Sequence, residues 1–183
     1  RNVLYKLREA LKAGPPCLRA DSESVALDLA PNGWLDAAAL RARRDPARLT
    51  TAELIQQAAL YQGRLLPGFN ENWVDVERMR AREAFERRLE ILVQRLAAEG
   101  RWEDLRDWSS QWIAQVEHTP EAAYRGLMTA HAGLGDFSRV EAAYKACASA
   151  LKKELNDPEW EPAEATRQLY EQLREGHKHA QTQ

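Results

Sequence analysis

Residues 100–137 read GRWEDLRDWSSQWIAQVEHTPEAAYRGLMTAHAGLGDF, and the architecture turns on a correspondence inside this segment. Gly100-Arg101-Trp102 and Gly135-Asp136-Phe137 stand 35 residues apart, each where one helical pattern stops and another starts. The same shift lays Leu89 on Tyr124, Leu92 on Leu127, Val93 on Met128 and Leu105 on Val140. A two-helix unit recurring at this period buries its large residues only by stacking on the next copy.

That period is the tetratricopeptide signature. Tyr124, Leu127, Gly135, Asp136, Phe137 and Tyr144 fit its usual pattern. Met128 stands where a small Gly is usual, His131 where Tyr is common, and Val140 where Ala is common. The units are therefore divergent. Downstream, a last helix from about Pro162 to His177, with Leu169 and Leu173 on one face, is placed to cap the stack.

Upstream, residues 71–99 contain no Gly or Pro and read as one long helix. Phe85, Leu89, Leu92, Val93 and Leu96 share a face. Arg78, Arg80, Arg82, Arg87 and Arg88 alternate with Glu77, Glu83, Glu86 and Glu90, the pattern of an exposed, self-paired surface. Before it, Asp36 starts a short helix to about Arg44. Thr50 and Thr51 open another, carrying Leu54, Ile55, Ala58 and Tyr61 on its buried side. The linker GRLLPGFN, residues 63–70, is apolar for a loop, so Leu65, Leu66 and Phe69 are expected to pack between helices.

The first 30 residues differ in kind. Residues 1–12 read as a helix with Leu4, Leu7 and Leu11 on one stripe, closed by Gly14-Pro15-Pro16. Residues 17–29 alternate Leu18, Val25, Leu27 and Leu29 with polar neighbours around Asp21-Ser22-Glu23-Ser24, the pattern of a β-hairpin. Residues 1–48 hold nine Lys+Arg against six Asp+Glu, the remainder 17 against 22. A basic head on an acidic body suggests that the two parts meet different partners, and it speaks against nucleic acid binding over the whole surface.

The 183 residues carry a formal charge of −2, with 44% hydrophobic and 30% charged residues, within the range of globular chains. No apolar run approaches the ~20 residues of a membrane span. Two cysteines far apart give no disulfide framework and fit a reducing compartment, so a cytoplasmic location is expected. The chain begins at Arg1, as a piece of a longer protein would. P-loop, dinucleotide-binding, zinc-protease and nucleophile-elbow motifs do not occur, so no enzyme activity and no cofactor is expected. His177 and His179 have no further ligands nearby, so no metal site is assigned. His118 reads as a loop residue, His131 as interhelical, and Cys147 as a packing residue.

The segments WLDAAAL, YQGRLLPGFNENW, PEAAYRGLMTAHAGLGDFSRVEAAYKACASALKKEL and EATRQLYEQLREG, in this order, resemble the bacterial transcriptional activator domain of antibiotic-regulatory activators and larger regulators. The resemblance covers nearly all of residues 34–176. It implies an all-α, tetratricopeptide-like bundle over residues 34–177, followed by a disordered tail at 178–183. In that family a winged helix–turn–helix domain precedes the bundle, and residues 1–30 resemble its recognition helix and wing.

By position, Arg1, Asn2, Tyr5, Lys6, Lys12 and Arg19 are then the DNA-binding candidates. The implied function couples a signal or a protein contact to the DNA-binding head. Expected partners are duplex DNA through a complete winged helix, other protein domains or the transcription machinery through the repeats, and a second copy in a homodimer. Larger family members often append an ATPase module. Trp73, Trp102, Trp108 and Trp112 are the partner-binding candidates. Core packing is the default for Trp108 and Trp112, which share a helix face. A freestanding interaction scaffold and a small-molecule sensor are the alternatives.

Overall fold

The computed structural model describes residues 5–6, 9, 18–21, 23–27, 36–41 and 45–181. Residues 5, 6 and 9 are helical. The strands β1 (Leu18–Ala20) and β2 (Val25–Leu27) pair antiparallel, with Arg19 opposite Ala26. Asp21 closes their turn by accepting from the Glu23 and Ser24 amides at 2.8 and 2.7 Å, and these bonds hold its carboxyl below the usual range. Leu4, Leu7, Leu11 and Leu29 lie outside the described residues.

Seven α-helices follow among the described residues: α1 (Asp36–Arg41), α2 (Thr51–Ala58), α3 (Asn72–Ala98), α4 (Trp102–Gln115), α5 (Glu121–Gly133), α6 (Phe137–Leu155) and α7 (Glu164–Gln181). A short 3-10 turn, Pro46–Arg48, stands before α2. Thr50 and Glu53 form a reciprocal capping box that fixes the start of α2, as a Thr three residues before a Glu allows. The extent of α3 follows the uninterrupted pattern between Glu71 and Gly100.

The two helical turns repeat in detail. Gly100 and Gly135 both take positive φ, +66° and +77°, which a side chain would resist. Arg101 N–H donates to Leu96 O at 3.0 Å, and Asp136 N–H donates to His131 O at 2.9 Å, the same closing bond 35 residues later. Leu105 and Val140, the aligned residues of the next helices, are both buried.

The odd-numbered long helices α3, α5 and α7 lie side by side, with α4 between the first two and α6 between the last two. One core runs from Leu40, Leu49 and Leu54 through Phe85, Leu89, Leu92 and Leu96 to Leu105, Trp112 and Ala130. A second cluster, Met128, Val140 and Ala143, receives Leu169, Tyr170 and Leu173 from α7. The capping role expected of the last helix holds. That helix runs on to Gln181, where a disordered tail was expected from residue 178. Lys178 and His179 in its last turn suit the negative helix end.

Close approach of α4 and α5 depends on glycine. A Cβ on Gly126 would meet Ser109 Oγ at 2.5 Å, and one on Gly133 would meet the Trp102 ring at 2.4 Å. Ala123, Gly126, Ala130 and Gly133 thus form the small-residue seam of α5, so the Met128 that departs from the repeat pattern faces the other way, toward α6 and α7. Gly133→Ala is expected to cost about 1–3 kcal/mol by overpacking. The same change in a Trp102→Ala background should cost nothing in denaturant unfolding, and an unchanged cost there would refute the steric account.

The arginines of α3 correct the expectation of a wholly self-paired surface. Arg80 and Arg82 do lie near Glu77 and Glu86, at 2.9 and 3.7 Å. Arg88, however, is 3% exposed; its Nε–H donates to Gln57 Oε1 at 2.7 Å and Nη1 to Ala84 O at 2.6 Å. Arg95 donates to Leu49 O and to Ala47 O, pinning the 3-10 turn. Arg78 reaches the carbonyls of Leu65, Leu66 and Phe69 at 2.8, 2.7 and 2.9 Å. The 63–70 loop is therefore fastened by a guanidinium. Leu66 and Phe69 remain exposed, contrary to the expected inward packing, because their carbonyls and not their side chains are held.

Candidate partner-binding groove

A groove of about 430 Å3 runs between α3, α5 and α7. Glu90 and Gln94 of α3 line one side, Arg125 and Thr129 of α5 the other, and Leu169 of α7 closes the end. Glu90 aligns with Arg125, and Gln94 with Thr129, under the 35-residue shift. Equivalent faces of successive repeats thus stand next to each other and open to the same side. Val93, Ala97 and Ala122 supply an apolar floor between the polar rims.

Arg125 is set by a relay that seats α7. Its Nη1 donates to Thr166 Oγ1 at 2.9 Å, and Thr166 Oγ1 donates to Glu121 Oε2 at 2.7 Å. The same Glu121 oxygen accepts the Ala163 amide at 2.9 Å, satisfying a donor at the α7 start. Thr166 is fully buried, so the relay ties the groove's basic side to the packing of the last helix. An acid on one rim, a base on the other and small side chains beneath suit an amphipathic helix or an extended peptide.

None of the four tryptophans lines this groove. Trp112 is 2% exposed inside the main core, with no partner for its indole N–H. Trp108 packs partly buried against that core, and Trp102 lies over Gly133. Trp73 stands 57% exposed near the start of α3, with Val76 and Met79 also exposed on the following turns. The α4 tryptophans thus share a helix, but they do not converge with Trp73. Of the DNA-binding candidates, Tyr5 and Lys6 are exposed on helical backbone and Arg19 is exposed on β1. Arg1, Asn2 and Lys12 lie outside the described residues. The groove residues escaped the reading by residue type because Gln, Thr and Ala carry no chemical signal; applying the repeat shift to polar positions would have found them.

Cys147 of α6 and His131 of α5 are buried titratable groups outside the groove lining. Burial pushes the Cys147 thiol up to about 12, so it is a packing group that does not ionise near neutrality. His131 is 7% exposed, and burial first, then the Arg139 guanidinium, lowers its pKa against the opposing pull of Asp136. The unfolded chain thus binds a proton that the folded chain refuses between the lowered value and about 6.5. Stability from this residue is complete above that window and falls as the pH drops through it. Unfolding by urea from about pH 8 to about pH 5 should show this slope, and His131→Phe should flatten it.

The family model of the bacterial transcriptional activator domain matches residues 8–174, and the chain belongs to that family. No curated protein and no solved structure matches it. The match includes β1, β2 and all the groove-lining residues, and it ends within α7. Transcription regulation is therefore the setting in which the groove is to be understood. Among the described residues no helix is long and apolar enough to cross a membrane.

Proposed function

We propose that this chain is the regulatory, partner-binding part of a bacterial DNA-binding transcription regulator, acting in the cytoplasm and catalysing no reaction. In this reading residues 1–30 are the recognition helix and wing of a winged helix–turn–helix head, with Arg1, Asn2, Tyr5, Lys6, Lys12 and Arg19 on the DNA side. Residues 34–177 receive a protein segment in the groove between α3, α5 and α7. The observation that supports it most is that groove, built from repeat-equivalent positions in a chain of this family. Occupancy changes the head only if the partner binds two arrangements of the regulator unequally.

The test uses the complete regulator with Thr129→Trp, which fills the groove. Anisotropy titrations on promoter DNA at several salt concentrations should match the parent, because phosphate contacts set the salt slope. The effect on transcription in a reconstituted assay should be lost. An unchanged effect removes the groove from the reading. A parent regulator that binds no DNA would give the lead to a freestanding scaffold.

A further inference from the structure

A second, smaller cavity of about 220 Å3 lies away from the groove, between the residues after α2, the first half of α3 and the end of α4. We infer that it is a binding site for a small phosphate monoester. Arg64, Arg82, Tyr61 and Gln115 line it, together with Met79 and the carboxylate of Glu117. Arg78 and Asp75 also line it, but they are occupied with each other at 2.9 Å, and Arg78 with the loop carbonyls.

The remaining groups have bonding capacity the chain does not use. Arg64 makes no hydrogen bond or ion pair among the described residues, nor does the Tyr61 hydroxyl. Arg82 has Glu86 and Glu117 at 3.7 and 4.0 Å, beyond hydrogen-bond range. Glu117 is 78% exposed on the α4–α5 connection, so it can leave Arg82 without disturbing the core. Gln115 also lines the cavity; its side-chain oxygen is buried, so the amide N–H2, which has no partner among the described residues, is the group a ligand meets.

Two arginines from separate elements and a tyrosine line one cavity. That arrangement suits the tetrahedral oxygens of a phosphate better than the planar pair of a carboxylate. The Gln115 amide N–H2 then donates to a hydroxyl oxygen on the carbon stub. The volume, about 220 Å3, lies below the roughly 300–1,000 Å3 of drug-sized ligand sites and suits a phosphate with a few carbons. A bound ligand would bridge the 63–70 loop to the joint between α4 and α5. The site stands independently of a partner in the groove.

Calorimetry on the chain at fixed ionic strength tests this with inorganic phosphate, glycerol 3-phosphate and acetate as probes. Glycerol 3-phosphate should bind saturably and more tightly than inorganic phosphate, and acetate should not bind. Arg82→Gln should weaken binding about tenfold or more, and Arg64→Gln, in an exposed turn, should weaken it while leaving the thermal unfolding of the free protein unchanged. Arg80→Gln, on the exposed side of α3, should bind as the parent does. Absence of saturable phosphate binding, equal binding by acetate, or full binding by both Arg64→Gln and Arg82→Gln would overturn the inference.

Discussion

Trp112→Ala lowers the unfolding free energy by about 3–5 kcal/mol, the range for a large aromatic removed from a packed core. The residue is 2% exposed, and it belongs to the cluster that joins α1, α2, α3, α4 and α5. Its loss leaves a cavity where the first repeat meets the elements before it, so unfolding should remain a single transition at lower denaturant. Trp112→Phe should cost far less, no more than about 1.5 kcal/mol, because it keeps most of the volume and removes an indole N–H that has no partner. The pair of variants separates packing from recognition. A cost of under about 1 kcal/mol for Trp112→Ala would return the residue to the candidate binding surface.

Arg78→Ala should cost about 2–3 kcal/mol, since it removes three charge-assisted bonds to carbonyls and the bond to Asp75. The loss should be local. Hydrogen exchange should accelerate over residues 63–70, including the Phe69 amide that donates to Leu66 O, while α5 to α7 keep their protection. Leu66 makes the point sharper, because it holds φ at +49° without being a glycine. Such a conformation costs roughly 1–2 kcal/mol, and the Arg78 fork offsets it. Arg78→Lys should recover little, as a single ammonium cannot reach three carbonyls in fixed directions. Unchanged exchange across the loop in Arg78→Ala would mean that the loop is held by something other than the fork.

What was legible in the sequence followed from periodicity and punctuation. Gly100 and Gly135 marked two equivalent joints, and the absence of Gly and Pro from Glu71 to Glu99 marked out the long helix. The buried residues of α3 came out as its apolar face because water exclusion selects them wherever the helix sits. The 63–70 loop did not come out, since nothing in Leu-Leu-Pro-Gly-Phe tells whether side chains or carbonyls are the anchors. Arg78 and Arg88 were misread for a related reason. An arginine among glutamates looks self-paired until the fold brings Gln57 or a loop carbonyl within reach. The seam of α5 was hidden because Gly126 and Gly133 acquire meaning only once Ser109 and Trp102 face them. The groove needed both steps, the repeat shift and the stacking of α7 on α5.

The identical closure at Gly100 and Gly135 has an evolutionary reading. A joint that is reproduced 35 residues later, bond for bond, makes the chain modular, so a stretch such as residues 101–135 is a unit that duplication can copy whole. A copy inserted at the second joint would meet the same neighbour on each side and lengthen the groove by one pair of rim residues. Growth of this kind changes reach without changing the rule of assembly. Length is then a trait that selection can tune separately from the fold itself.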